Sequence, residues 1–278
     1  MMPGETFEIT EEHIETFSRD GLVCLRGVIA PEWIDALRTG VEQDLSEPGE
    51  NVEVYTKPGD PGYFFNDFDL WTHIPGMKDF AVNGPCAGIS ATLMGSRWVN
   101  LFFDHLFVKE PGTKGKTHWH QDQPYFAVQG AKLCSNWIPL DPVTADNGFE
   151  FIPGSHKWGR WFAPFDSMKD GSRHQGTEFE RCPDIENNRG DYDIRSFDMQ
   201  PGDALFFHGL VVHQGQSNPQ TAQRRRAVAH RWLGDDASYI VRDPPAEFPK
   251  IPASVKPGQS FRDVPEFPLV WSREANEH

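Results

Sequence analysis

The sequence predicts a mainly β protein with flanking helices, built on a double-stranded β-helix of the jelly-roll kind. Three observations predict it. Helical patterning is concentrated before residue 46, many short strands broken by turns run from about residue 98 to 236, and His120 and Asp122 sit one residue apart in the middle of that region. On an extended strand the side chains of His120 and Asp122 share one face. Joined by a second imidazole from far along the chain, they would make the two-histidine, one-carboxylate triad that holds iron(II) and leaves coordination positions open.

The elements follow in order. Thr10 caps a helix whose first turn carries Glu11 and Glu12 and whose end is marked by Gly21. Residues 22–25 read as a strand. Pro31 opens a second helix with a buried stripe of Ile34, Leu37, Val41 and Leu45. Residues 46–71 read as a long loop in which Tyr63, Phe64, Phe65, Phe68 and Trp71 either cover a site or plug one end of the core. A short helix spans 85–94, and strands follow at 98–109, 133–140, 149–152 and 194–199. Residues 204–212 form an apolar segment running into His213, and 225–233 form a last strand. A second irregular stretch, 157–192, carries Trp158, Trp161, Phe162 and Phe165 as a candidate wall or lid.

With no low-complexity linker, 1–278 is expected to be a single domain: helices 10–45, a cupin-like barrel core at about 98–236 and a proline-rich tail at 243–278. The net charge of -15 argues against a nucleic-acid partner. Cys24, Cys86, Cys134 and Cys182 are scattered, which suggests reduced thiols and a cytoplasmic location. No apolar run is long enough to span a membrane, and the first residues lack a targeting pattern.

His213 is the best candidate for the distant ligand, because it follows a turn and an apolar strand that returns toward His120. His118 and His208 are ranked below it. Gln121, between the first two ligands, should point away from a metal.

The chain resembles the phytanoyl-CoA dioxygenase family of iron(II)- and 2-oxoglutarate-dependent oxygenases. The matching stretches are Phe107-Val108-Lys109-Glu110-Pro111-Gly112, Trp119-His120-Gln121-Asp122, Asp146-Asn147-Gly148, Ile152-Pro153-Gly154-Ser155-His156, Pro201-Gly202-Asp203, His213 with Asn218, and Arg225-Arg226-Ala227. The resemblance covers roughly residues 12–236. It implies that His120, Asp122 and His213 bind Fe(2+), that O2 is the oxidant, and that 2-oxoglutarate leaves as succinate and CO2. It also implies an arginine for the far carboxylate of 2-oxoglutarate. Family spacing points to Arg224 and the strand signature to Arg225, which is preferred; Trp137 and Lys109 are weaker candidates for the same pocket. The expected activity is hydroxylation of a small, secondary-metabolite-like molecule, with desaturation, epimerisation or ring formation as variants, and nothing in the chain demands a coenzyme A thioester. Asp122 argues against a halogenase. The rival readings are a cupin-like isomerase or hydrolase that does not use 2-oxoglutarate and a metal-free binding protein.

Overall fold

Thr10 accepts a hydrogen bond from the His13 backbone N–H in the computed structural model, and the His13 ring accepts from the Thr10 N–H. This reciprocal cap starts α1 (Glu11–Asp20), and Gly21, at φ 77°, closes it. The structure describes residues 7–164, 179–219, 222–243, 245–246 and 248–276. In chain order, α1 is followed by β1 (Leu22–Leu25), α2 (Pro31–Ser46), β2 (Glu53–Val54), β3 (Phe64–Phe68), α3 (Pro75–Asn83), α4 (Cys86–Met94), β4 (Trp98–Lys109), β5 (Thr117–His120), β6 (Val128–Gln129) and β7 (Leu133–Pro139). Then come β8 (Phe149–Ile152), β9 (Arg195–Ser196), β10 (Ala204–His208), β11 (Val212–Gly215), β12 (Arg225–Leu233), β13 (Ser238–Tyr239), β14 (Leu269–Ser272) and α5 (Arg273–Asn276).

Among the described residues the larger sheet runs β1-β10-β7-β12-β4-β3-β2, with β14 also paired to β4, and the smaller runs β5-β11-β8-β9. This is the expected jelly-roll arrangement, and alternation along its strands makes two cores. On β12, Val228 and Trp232 pack with Leu37, Val41 and Phe80 of the helices, whereas Ala227 and Ala229 pack with Trp137, Phe149, Phe151 and Phe207 in the interior. The four cysteines are unpaired.

Three expectations change. The loop expected at 46–71 contains β3, whose residues Phe64 and Phe65 are buried and whose backbone pairs with β4. Interrupting Asn66 and Asp67 hid that strand. The apolar segment 204–212 is two strands in different sheets, because the chain turns at Gly209, where an added Cβ would lie 2.6 Å from Leu133. The strand expected at 194–199 shrinks to β9, and α3 was not foreseen. Part of the irregular stretch, including Phe165, lies outside the described residues.

One buried group ties α2 to the segment after it. Asp44 is fully buried with no hydrogen bond to either oxygen, and burial, reinforced by the nearby Asp67 carboxylate, pushes its carboxyl up to about 7. The folded protein therefore holds a proton that the unfolded chain releases near 3.8, so this contribution to stability is present at low pH and is lost as pH rises toward 7. Asp44→Asn is expected to flatten that part of the decline, measured as urea unfolding free energy between pH 4 and 7; an unchanged slope would count against Asp44 as the group that holds the proton.

Candidate metal centre

The site begins with the pairing of β5 and β11, which sets His213 directly opposite His120. The ring centroids are 4.2 Å apart. His120 Nδ1 meets the His118 carbonyl at 2.7 Å and His213 Nδ1 meets the Val211 carbonyl at 3.1 Å. Each Nδ1–H is thus held by a backbone oxygen, which leaves the Nε2 lone pair free for a metal. Asp122 is not on an extended strand as expected. β5 ends at His120, and Asp122 has φ -69° and ψ -48° at the entrance to a 3-10 turn. The turn still delivers its carboxylate: Oδ1 is 3.4 Å from His120 Nε2 and 3.7 Å from His213 Nε2.

His120, Asp122 and His213 are the group among the described residues that could hold a metal, with donor atoms all within 4.8 Å of one another. A metal about 2.1 Å from each donor needs donor atoms about 3 Å apart, so the fit requires only small side-chain movements. The charge states suit it as well. Burial would raise the Asp122 carboxyl, but Arg231 and the two imidazoles outweigh burial and hold it well below the usual carboxylate range. Burial, then His120, pushes His213 down to about 3, so its ring is neutral. Asp122 Oδ2 accepts a 2.7 Å hydrogen bond from Ser135 and lies 3.3 Å from Arg231 Nε, which turns Oδ1 toward the histidines.

The two lower-ranked histidines lie outside this group. His118 lines the adjoining cavity without joining the donor group, and His208, on the larger sheet, has an Nδ1 that accepts from the Leu210 N–H. Gln121 faces away from the donors: its amide donates to the carbonyls of Arg160 and Leu210 and accepts from the Phe162 N–H.

Arg225, the first residue of β12, and Arg224 just before it point to opposite sides. Arg224 pairs outside with Glu42 at 3.0 Å and Glu110 at 2.6 Å. Arg225 is buried, its Nη1 has no hydrogen-bond partner, and burial alone pushes it down to about 10 with no carboxylate to offset it. Its cross-strand neighbour Lys109 is buried too, with Nζ donating to the carbonyls of Gly115 and Gln216 at 2.8 Å. Burial, then Arg225, holds that amine well below its usual value. Trp137 packs on Phe149, centroids 4.9 Å apart.

A cavity of about 480 Å³ opens over the three donors. Its wall includes Phe68, Phe103, Phe107, Phe126, Phe149 and Phe248. Arg231 is on that wall, and Arg225, Lys109 and Trp137 are not among its residues. Sequence reasoning missed Arg231 and Ser135. Period-two alternation from Ala227 and Ala229 would have put Arg231 on the inner face, and the same count from Trp137 would have put Ser135 there.

Comparison with known proteins shows the family. The profile of the phytanoyl-CoA dioxygenase family matches residues 17–227. A probable phytanoyl-CoA dioxygenase of Caenorhabditis elegans is 25% identical over 235 residues, which is 79% of this chain and 67% of that protein. Phytanoyl-CoA dioxygenase domain-containing protein 1 of Danio rerio is 25% identical over 270 residues, covering 80% of this chain and 89% of its own. The solved structure of the non-haem alpha-ketoglutarate-dependent carbocyclase from nogalamycin biosynthesis superposes with a TM-score of 0.74 over 95% of this chain and 97% of that one, at 19% identity, a likeness of fold. With the profile spanning most of the sequence and the histidine-carboxylate set assembled at the mouth of the barrel, the chain belongs to the phytanoyl-CoA dioxygenase family.

Proposed function

We propose that the protein is a non-haem iron(II)- and 2-oxoglutarate-dependent dioxygenase that hydroxylates a small molecule and releases succinate and CO2. The observation that carries the reading is the convergence of His120, Asp122 and His213 at the floor of the cavity. Iron with 2-oxoglutarate supplies the activation of dioxygen and the electrons for it. The chain supplies position and exclusion of water.

His120, Asp122 and His213 would hold the metal on one side, leaving the cavity side for ligands. Ser135 and Arg231 fix the Asp122 carboxylate. Arg225 would bind the far carboxylate of 2-oxoglutarate. Its buried, partnerless Nη1 supports this, since a planar guanidinium fork without an anion in an apolar interior is unfavourable. Lys109 stands beside it across the strand pair, its Nζ donating to the Gly115 and Gln216 carbonyls. Between Arg225 and Arg231 the inner face of β12 carries the small side chains of Ala227 and Ala229, and Trp137 would close one side of the cosubstrate pocket.

The six phenylalanines of the cavity wall favour a largely apolar small molecule. No helix of the described residues is long and apolar enough to cross a membrane. The four unpaired cysteines favour the cytoplasm. Ring formation is a second reading, favoured by the fold likeness to a carbocyclase. An isomerase or hydrolase without 2-oxoglutarate would leave the Arg225 charge unmatched.

Incubation with iron(II), 2-oxoglutarate and oxygen is expected to yield succinate, and His120→Ala, Asp122→Ala and His213→Ala are each expected to abolish it; succinate formation surviving all three would end the assignment. Arg225→Ala is expected to raise the 2-oxoglutarate KM about 100-fold and Arg224→Ala by less than about threefold. The reverse order would transfer the role to Arg224. Ser135→Ala should weaken iron(II) binding about 10- to 100-fold by equilibrium titration, since Asp122 then loses the donor that orients it. Unchanged affinity would show that the hydrogen bond does not orient the ligand.

A further inference from the structure

Arg231 is a buried cation whose contact with the metal ligand Asp122 leaves some of its donors unmet. The residue is 6% exposed, and its guanidinium carbon lies 5.4 Å from the centre of the Phe103 ring. Nε approaches Asp122 Oδ2 at 3.3 Å, an oxygen that already accepts from Ser135. Neither Nε nor Nη1 of Arg231 has a hydrogen-bond partner, so the ion pair leaves donors unmet. Unmet donors on a buried charge are unfavourable until something in the cavity accepts from them.

The far carboxylate of 2-oxoglutarate is a poor fit for this role. Arg231 sits against a metal ligand, too near the metal for the far end of a five-carbon diacid, and Arg225 waits six residues away on the same face of β12. The rest of the cavity wall offers little competition for an anion. His105 is neutral, held well below its usual pKa by burial and then by Arg231, and its ring lies between Phe68 and Phe107 with centroids 4.0 Å and 3.7 Å away. Lys250 is exposed at the rim, where Glu50 and Glu53 also stand. Apart from the three metal ligands, the buried wall thus presents one positive charge among aromatic rings.

We propose that Arg231 anchors the primary substrate, and that this substrate carries a single carboxylate on an apolar, ring-bearing body. One guanidinium matches one negative charge; a phosphate-rich group such as a nucleotide carrier would meet the acidic rim. The inference rests on the oxygenase reading and names the substrate class of the same cavity. Arg231 therefore has two contacts to make, one to Asp122 and one to substrate.

The test uses the full chain loaded anaerobically with iron(II) and saturating 2-oxoglutarate. It is titrated by calorimetry with matched acids and amides: phenylacetate and phenylacetamide, 4-phenylbutyrate and 4-phenylbutanamide, cyclohexanecarboxylate and its amide. The acids are expected to bind at least about tenfold more tightly than the amides. Arg231→Gln is expected to erase the difference, and Arg231→Lys to retain part of it. Equal binding of acid and amide, or no binding of any acid, overturns the proposal, and this comparison needs only the wild-type protein. An acid preference that persists in Arg231→Gln overturns it as well. So does an equal loss of 2-oxoglutarate affinity in that variant at unchanged iron(II) affinity, which would reassign Arg231 to the cosubstrate. Succinate formation by the wild type is scored separately. Acid preference without succinate would sink the oxygenase reading and leave the anchor standing, whereas succinate without acid preference would do the opposite.

Discussion

The antiparallel register that places His213 beside His120 is the constraint on which the rest of the site depends. A slip of one residue would turn one imidazole to the opposite face of the small sheet and separate the donors. Several contacts hold β11 in place. It pairs on its other side with β8, where His213 faces Phe151, and the Ser155 hydroxyl accepts from the Val212 N–H while donating to the Ile152 carbonyl. Gln121 ties the β5 end to the Leu210 carbonyl just before β11. Phe149, Phe151 and Phe207 surround the His213 ring, with centroids 5.7, 5.6 and 4.8 Å away. The imidazole is packed as firmly as a core residue, which is what a preorganised ligand requires.

The inner faces of β4 and β12 carry the opposite sign to the molecule as a whole. A chain of net charge -15 buries Arg225, Lys109 and Arg231 along the inner faces of β4 and β12, with the single carboxylate of Asp122 among them. Buried positive charge without matching acids is unfavourable in the empty protein. It becomes favourable when anions bind, so affinity for acidic ligands is built in at some expense of stability. The acidic exterior and the basic inner faces of β4 and β12 therefore bear on different things, the first on bulk partners and the second on what enters the barrel.

Around this charged lining, the large sheet gives the site a stiff back. α2, α3 and α4 pack on its outer face through Leu37, Val41, Met77, Phe80, Ala87 and Ala91. Asn136 lies between the two layers of function, accepting from Trp232 Nε1 at 2.6 Å on the helix side while its strand neighbours Ser135 and Trp137 face inward. The segment after β13 returns Phe248 to the cavity wall, where its ring meets Phe68 and Phe103 at 4.9 and 5.1 Å. Residues distant in sequence thus close one apolar chamber over the donors.

Local patterning determined much of this before any coordinates. The Thr10 cap, the stripe of α2, the strands at 98–109 and 225–233 and the His120-Asp122 spacing are all set by neighbours within a few residues, and such order is written directly in sequence. The family resemblance rests on the same short motifs. Tertiary structure alone decided the features that depend on pairing across the chain. It made Phe64–Phe68 a strand by giving it β4 as a partner, divided 204–212 between two sheets, and put Asp122 on a turn beyond the strand end. It also set Arg224 outside against two glutamates and Arg225 inside with none, and exposed Arg231 to the cavity. Adjacent arginines are indistinguishable by composition. Which one meets a ligand follows from the side of the strand each occupies, and that side is fixed by register with β4 and β7.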